Sequence, residues 1–166
     1  MNNNQIIPEC WADTLLVKIL GFDRANHQGG IGRVLKTFEE KFKNRQSVGI
    51  IDDDKEKPKD LDQFIFSEER EKIRKLVKPN TSHTVLIVSP AFEDWVFKNA
   101  EAVQVDPATY GFRTRKYFRD VCKSAAVNNN QQVKQFLNTL KQKNAPGFAQ
   151  LKTWICEGAG IDEKDL

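Results

Sequence analysis

Ser47-Val-Gly-Ile-Ile-Asp52-Asp53-Asp54 is a short apolar, β-branched run that stops abruptly on three aspartates. Such a run reads as a strand covered on both faces, the kind that parallel sheets contain. In an open parallel sheet ligands gather at the carboxyl ends of the strands. Adjacent residues of extended backbone point to opposite sides, so Asp52 and Asp54 face one ligand together and Asp53 points elsewhere. Gln5-Ile-Ile-Pro-Glu9 reads as an earlier strand that ends on an acid of its own, Glu9.

Working outward, Trp11–Phe22 has helical spacing, with Leu15, Leu16, Ile19 and Leu20 on one face and Gly21 suited to its end. The Gly-rich turn Gln28-Gly-Gly-Ile-Gly32 opens a second helix to about Asn44, on which Val34, Leu35, Phe38 and Phe42 recur. Lys55–Asp62 reads as a charged surface loop, Phe64–Phe66 as a strand, and Ser67–Val77 as a helix with Ser67 at its N-cap. Thr84–Val88 is a further buried strand, and Ala91–Ala102 a helix. Three more helices are expected over 114–126, 130–143 and 146–157, the last opened by Pro146. Strands therefore come early and helices late. The expected fold class is α/β: a Rossmann-type parallel sheet of about four strands flanked by helices, over residues 4–102, with a helical C-terminal addition over 107–158, all in one domain of 1–166.

Composition narrows the function classes. Hydrophobic residues are 39% and charged residues 30%, which is globular, and the longest apolar runs are far below the roughly 20 residues a membrane span needs. The first residues lack the basic and apolar stretches of a signal peptide, so a cytoplasmic protein is expected. Cys10, Cys122 and Cys156 are widely spaced without a CxxC pair, which argues against a disulfide framework or a zinc site. Net charge is only +3, yet residues 107–156 hold nine Lys or Arg against the single acid Asp120. A basic segment of this kind attracts polyanions.

Three carboxylates at one sheet edge repel one another unless a cation neutralises them, and hard oxygen ligands suit Mg²⁺ or Mn²⁺. A polar turn after a strand is the plain alternative for the aspartate run. Glu9-Cys-Trp-Ala-Asp13 after one strand, a Gly-rich turn before the second helix, and Val48-Gly-Ile-Ile-Asp52-Asp-Asp54 after the next strand occur in order. Together they resemble the Toprim domain, the family shared by topoisomerases, bacterial primases, recombination proteins and nucleases of the overcoming-lysogenization-defect type. The resemblance implies that Glu9 is the strand-end glutamate, Asp13 the acid four residues on, and Asp52 and Asp54 the DxD pair. Cys10 stands where the family usually has Gly. Ser89-Pro-Ala-Phe-Glu93-Asp-Trp95 is similar to a Pro-x-x-Glu-x-Trp segment of small nuclease-like members, which adds Glu93 as a candidate ligand.

The resemblance implies Glu9, Asp13, Asp52 and Asp54 as catalytic residues, Glu9, Asp52, Asp54 and Glu93 as ligands of Mg²⁺ or Mn²⁺, and phosphodiester hydrolysis of DNA or RNA as the reaction. For strand contact the candidates are Lys55, Arg113, Arg115, Lys116 and Arg119, the last four interleaved with Tyr110, Phe112, Tyr117 and Phe118. His27 is a candidate for proton transfer or phosphate binding, and Gly29–Gly32 for phosphate contact through helix N–H groups; His83 reads as structural. A nucleic-acid partner and no membrane are expected, with a protein partner or homo-oligomer left open. Two other readings stand beside the nuclease: a non-catalytic binding module of a defence or repair complex, and a small-nucleotide phosphohydrolase.

Overall fold

The computed structural model describes residues 3–53 and 56–166. Five strands, β1 (Ile6–Pro8), β2 (Ser47–Asp52), β3 (Ile65–Arg70), β4 (Ile73–Val77) and β5 (His83–Val88), form one sheet in the order β1-β2-β5-β4-β3. The first three in that order are parallel, with Ile6 opposite Val48 and Asp52 opposite Val88. β4 runs antiparallel to β5 and β3 antiparallel to β4, so the sheet is mixed and not the all-parallel four-stranded sheet expected. The difference arises at Ser67–Val77, which is a β-hairpin and not a helix. Glu68, Glu69, Arg70, Glu71 and Lys72 favour a helix intrinsically, but pairing of Ile73–Val77 along β5 overrides that preference. Glu71 and Lys72 form the two-residue turn with φ of 49° and 58°, the positive values that type I′ hairpin turns require. The Trp95 indole N–H donates to the Glu71 carbonyl at 2.9 Å and ties the turn to the helix beneath it.

Six helices cover the sheet: α1 (Trp11–Leu20), α2 (Ile31–Lys41), α3 (Phe92–Ala102), α4 (Arg115–Cys122), α5 (Gln131–Gln142) and α6 (Pro146–Ala159). Alternate strand residues feed two apolar layers. Ile7, Ile51, Val85 and Ile87 pack under α2 with Val34, Leu35 and Phe38. Ile6, Val48, Ile50, Leu86 and Val88 pack on the other face with α1, α3 and the residues from Phe112 to Ala159. A methyl at Gly49 would lie 2.7 Å from Val34 Cγ1, which shows how closely α2 approaches β2.

The C-terminal helices expected as an addition are thus laid against the sheet within the same core. At Gly158 a Cβ would meet Val48 at 3.0 Å and Thr84 at 3.3 Å, placing α6 directly over β2 and β5. Phe112, Phe118 and Phe136 are packed ring against ring with Phe92 and Phe97, welding α3, α4 and α5 together. Among the described residues no helix is long and apolar enough to cross a membrane.

Candidate metal centre

Four acids that the sequence brought forward are buried at the carboxyl end of the parallel strands: Glu9 at 1% exposure, Asp13 at 0%, Asp52 at 7% and Glu93 at 6%. Buried carboxylates are costly unless they are paired, hydrogen-bonded or bound to metal. Glu9 leaves the end of β1, and its Oε2 accepts the Asp52 backbone N–H at 3.3 Å, so the first two acids are neighbours across adjacent strands. Asp13 reaches the same place from the first turn of α1. Its Oδ2 accepts the Cys10 N–H at 3.3 Å while Cys10 Sγ accepts the Asp13 N–H at 3.4 Å, a capping box in which a thiol replaces the usual hydroxyl. Cys10 has φ −122° and ψ 173°, ordinary extended backbone, so the position does not call for glycine.

One donor atom from each of Cys10, Asp13 and Asp52 lies within 4.8 Å of the others. The cluster differs from the expected set. Asp13, expected as a catalytic residue and not as a ligand, stands in it together with Cys10, while Asp54 and Lys55 lie outside the described residues. Burial first, then the Asp13 and Asp52 carboxylates, push the Cys10 thiol far above its ordinary range. A protonated thiol that already accepts the Asp13 amide is a structural neighbour, whereas the carboxylate oxygens supply the hard donor set that suits Mg²⁺ or Mn²⁺. Cys122, below the cluster, is likewise pushed up to about 12, by burial and then by Glu93, Asp13 and Asp52.

Asp53 turns away from the cluster. Its carboxylate takes the Arg74 guanidinium at 2.5 Å, the Ser89 hydroxyl at 2.9 Å and Lys57 at 3.4 Å. Glu93 opens α3 and pairs with Arg119 of α4, and Asp94 beside it pairs with Arg115 at 3.0 Å. Lys116 pairs with Asp120 at 3.0 Å within α4, and Arg113 is exposed. Of the five basic residues expected at a strand, Arg115, Lys116 and Arg119 therefore engage carboxylates of their own chain, and Lys55 lies outside the described residues. Of the interleaved aromatics, Phe112 and Phe118 are core, Tyr110 packs on Phe136 with its hydroxyl donating to Thr139 at 2.8 Å, and Tyr117 is exposed.

Two depressions flank the acids. An open cleft of about 600 Å³ is lined by Glu9, Gly29–Gly32, Glu56, Lys57 and Lys59, and brings the N-terminus of α2 to the carboxyl edge. A smaller one of about 190 Å³ is lined by Cys10, Trp11, Asp52, Glu93, Arg119 and Lys123. His27 borders the site: its ring stacks on Trp11 at 3.7 Å and its Nδ1 meets the Thr14 hydroxyl at 3.0 Å. Burial holds its pKa below the ordinary histidine value. His83 is buried far from the acids, with Nε2 at 2.9 Å from the Phe42 carbonyl, consistent with a structural role. Arg119 as the partner of Glu93, and Trp11 beside the cluster, carried no separable sequence signal, since both depend on how α1, α3 and α4 are packed. Comparison with family models, with curated proteins and with solved structures finds no match to this chain.

Proposed function

We propose that this chain is a Toprim-like, divalent-metal-dependent phosphoryl-transfer enzyme, a nuclease that hydrolyses phosphodiesters. The observation that carries the reading is the convergence of Asp13 and Asp52, with Glu9 in contact with Asp52, at the carboxyl edge of the parallel strands. Asp52 and Asp13 would hold Mg²⁺ or Mn²⁺, with Glu9 completing the donor set or exchanging a proton with the attacking or departing oxygen. A bound divalent cation supplies Lewis-acid stabilisation of the negative charge that develops on the phosphoryl group. Lys59 and the N–H groups opening α2 border the larger cleft and favour an anionic substrate there, while Lys57 on the same wall is held by Asp53 at 3.4 Å and Glu9 and Glu56 complete the lining. The Cys10–Asp13 capping box fixes the start of α1 and so holds the Asp13 carboxylate in place.

The ion pairs of Arg115, Lys116 and Arg119 with acids of the same chain favour a second reading, a phosphohydrolase of small nucleotides, because they leave less unbalanced charge for a polynucleotide backbone. One assay separates the two. Labelled single-stranded DNA, duplex DNA and RNA, alongside nucleoside triphosphates, are incubated with Mg²⁺, Mn²⁺ or EDTA. Metal-dependent strand cleavage that disappears in Asp52→Asn supports the nuclease; turnover confined to mononucleotides supports the second reading. Turnover of neither substrate, or cleavage that survives in EDTA, contradicts a metal-dependent enzyme.

A further inference from the structure

Trp11 is 38% exposed, whereas Trp95 and Trp154 are 1% and 2% exposed. A large aromatic left more than a third exposed lies outside the core, and its place is immediately after Glu9 and Cys10, on the wall of the small cleft that also holds Asp52, Glu93, Arg119 and Lys123. The ring is held in a set orientation. Its plane lies 17° from that of His27 with centroids 3.7 Å apart. Thr14 donates its single hydroxyl proton to the Cys10 carbonyl at 2.8 Å, so in its 3.0 Å contact with His27 it accepts from Nδ1–H. That fixes the His27 ring and, through the stack, the indole. Rigid placement of this kind lowers the entropy lost when a second ring docks.

We propose that Trp11 is a stacking platform for an unpaired nucleobase, placed so that the adjoining phosphate of the same strand lies at Asp52, which lines the same cleft. The inference rests on the phosphodiesterase reading above and deepens it by assigning single-stranded nucleic acid as the substrate class. At about 190 Å³ the cleft is smaller than the roughly 300–1,000 Å³ pockets that engulf drug-sized ligands, so it takes one planar ring and not a duplex. Arg119 on the same wall is taken up by Glu93, and Lys123, 68% exposed and 3.7 Å from Asp120, is the cation of the wall nearest to solvent; an aromatic face beside a cation is the combination that single-strand grooves use.

The test is tryptophan fluorescence and fluorescence anisotropy in Mg²⁺, with a short oligothymidylate carrying hydrolysis-resistant phosphorothioate linkages so that the strand stays whole, an abasic strand of the same length and linkage, and thymidine monophosphate. Because Trp95 and Trp154 are buried, quenching on addition of the oligothymidylate reports Trp11. The expected result is quenching by the oligothymidylate and not by the abasic strand, with affinity reduced roughly 5- to 150-fold in Trp11→Ala and only a few-fold in Trp11→Phe. Equal binding of the abasic strand, or unchanged affinity in Trp11→Ala, overturns the platform. Thymidine monophosphate binding as tightly as the strand overturns the substrate class. Metal-dependent cleavage with no Trp11 effect leaves the enzyme reading standing without the platform; quenching without cleavage does the reverse.

Discussion

Replacing Asp52 by Asn keeps the shape of the side chain and removes one charge from the Cys10–Asp13–Asp52 cluster. The Asp13 and Asp52 oxygens lie within 4.8 Å. Two like charges at that distance repel by about 3.5 kcal/mol at an effective dielectric of about 20 and about 0.9 kcal/mol in water. Removing the repulsion should therefore stabilise the metal-free protein by about 1–3 kcal/mol, a rise in melting temperature of about 2–12 °C for a chain of this size. Metal reverses the ranking. Mg²⁺ or Mn²⁺ at a hundred times its dissociation constant stabilises the wild type by about 2.7 kcal/mol, and the variant should gain far less. The assay is differential scanning calorimetry of both proteins in EDTA and across a metal titration. A variant that melts below the wild type in EDTA, or that responds to metal as the wild type does, refutes the repulsion reasoning and the role of Asp52 in binding.

Gly147→Ala should cost about 1–3 kcal/mol, because its Cβ would lie 2.6 Å from the Asn99 amide and 2.7 Å from Trp95; an unchanged denaturant midpoint would mean that α6 is not seated on α3. Arg119→Ala should destabilise by about 1–2 kcal/mol, less than for a fully buried pair since the guanidinium is half exposed, and adding Glu93→Gln should recover most of the loss in urea unfolding; purely additive losses would contradict the pairing. Burial pushes the Cys156 thiol from its ordinary 9.0 up to about 11. A raised folded-state pKa means that the unfolded chain ionises first, so this thiol's contribution is intact below about pH 9 and is lost at up to about 1.4 kcal/mol per pH unit as pH rises towards 11. Unfolding measured from pH 8 to 10 should show a shallower decline in Cys156→Ala, and an identical decline would contradict a buried neutral thiol.

Elements with strong periodicity were legible from sequence. β2, β5, α1, α2, α3 and the three C-terminal helices fall within a few residues of their expected bounds because each carries its apolar pattern locally. Of the β3–β4 hairpin only the start of β3, expected over Phe64–Phe66, was legible, since the rest is rich in Glu, Lys and Arg and its conformation is decided by pairing of β4 with β5 and of β3 with β4. Its turn also lacks the Asn-Gly signal, using Glu71 and Lys72 at positive φ instead. Within the site, Glu9 and Asp52 were visible as strand-end acids because a strand delivers its last side chain to the sheet edge. The inward swing of Asp13 and the inclusion of Cys10 depend on a capping box whose partner is a thiol, an arrangement that sequence patterns for Ser or Thr caps pass over. The basic residues of α4 were visible as charge, but their pairing with Glu93 and Asp94 is a consequence of helix packing.

Binding of a divalent cation by the buried acids is measured most directly by anomalous scattering from crystals soaked in Mn²⁺. A bound ion should give a difference peak within about 2.0–2.6 Å of carboxylate oxygens from Asp13 and Asp52, lost in Asp52→Asn. A peak elsewhere, or none under conditions in which the protein cleaves its substrate, would contradict the metal centre.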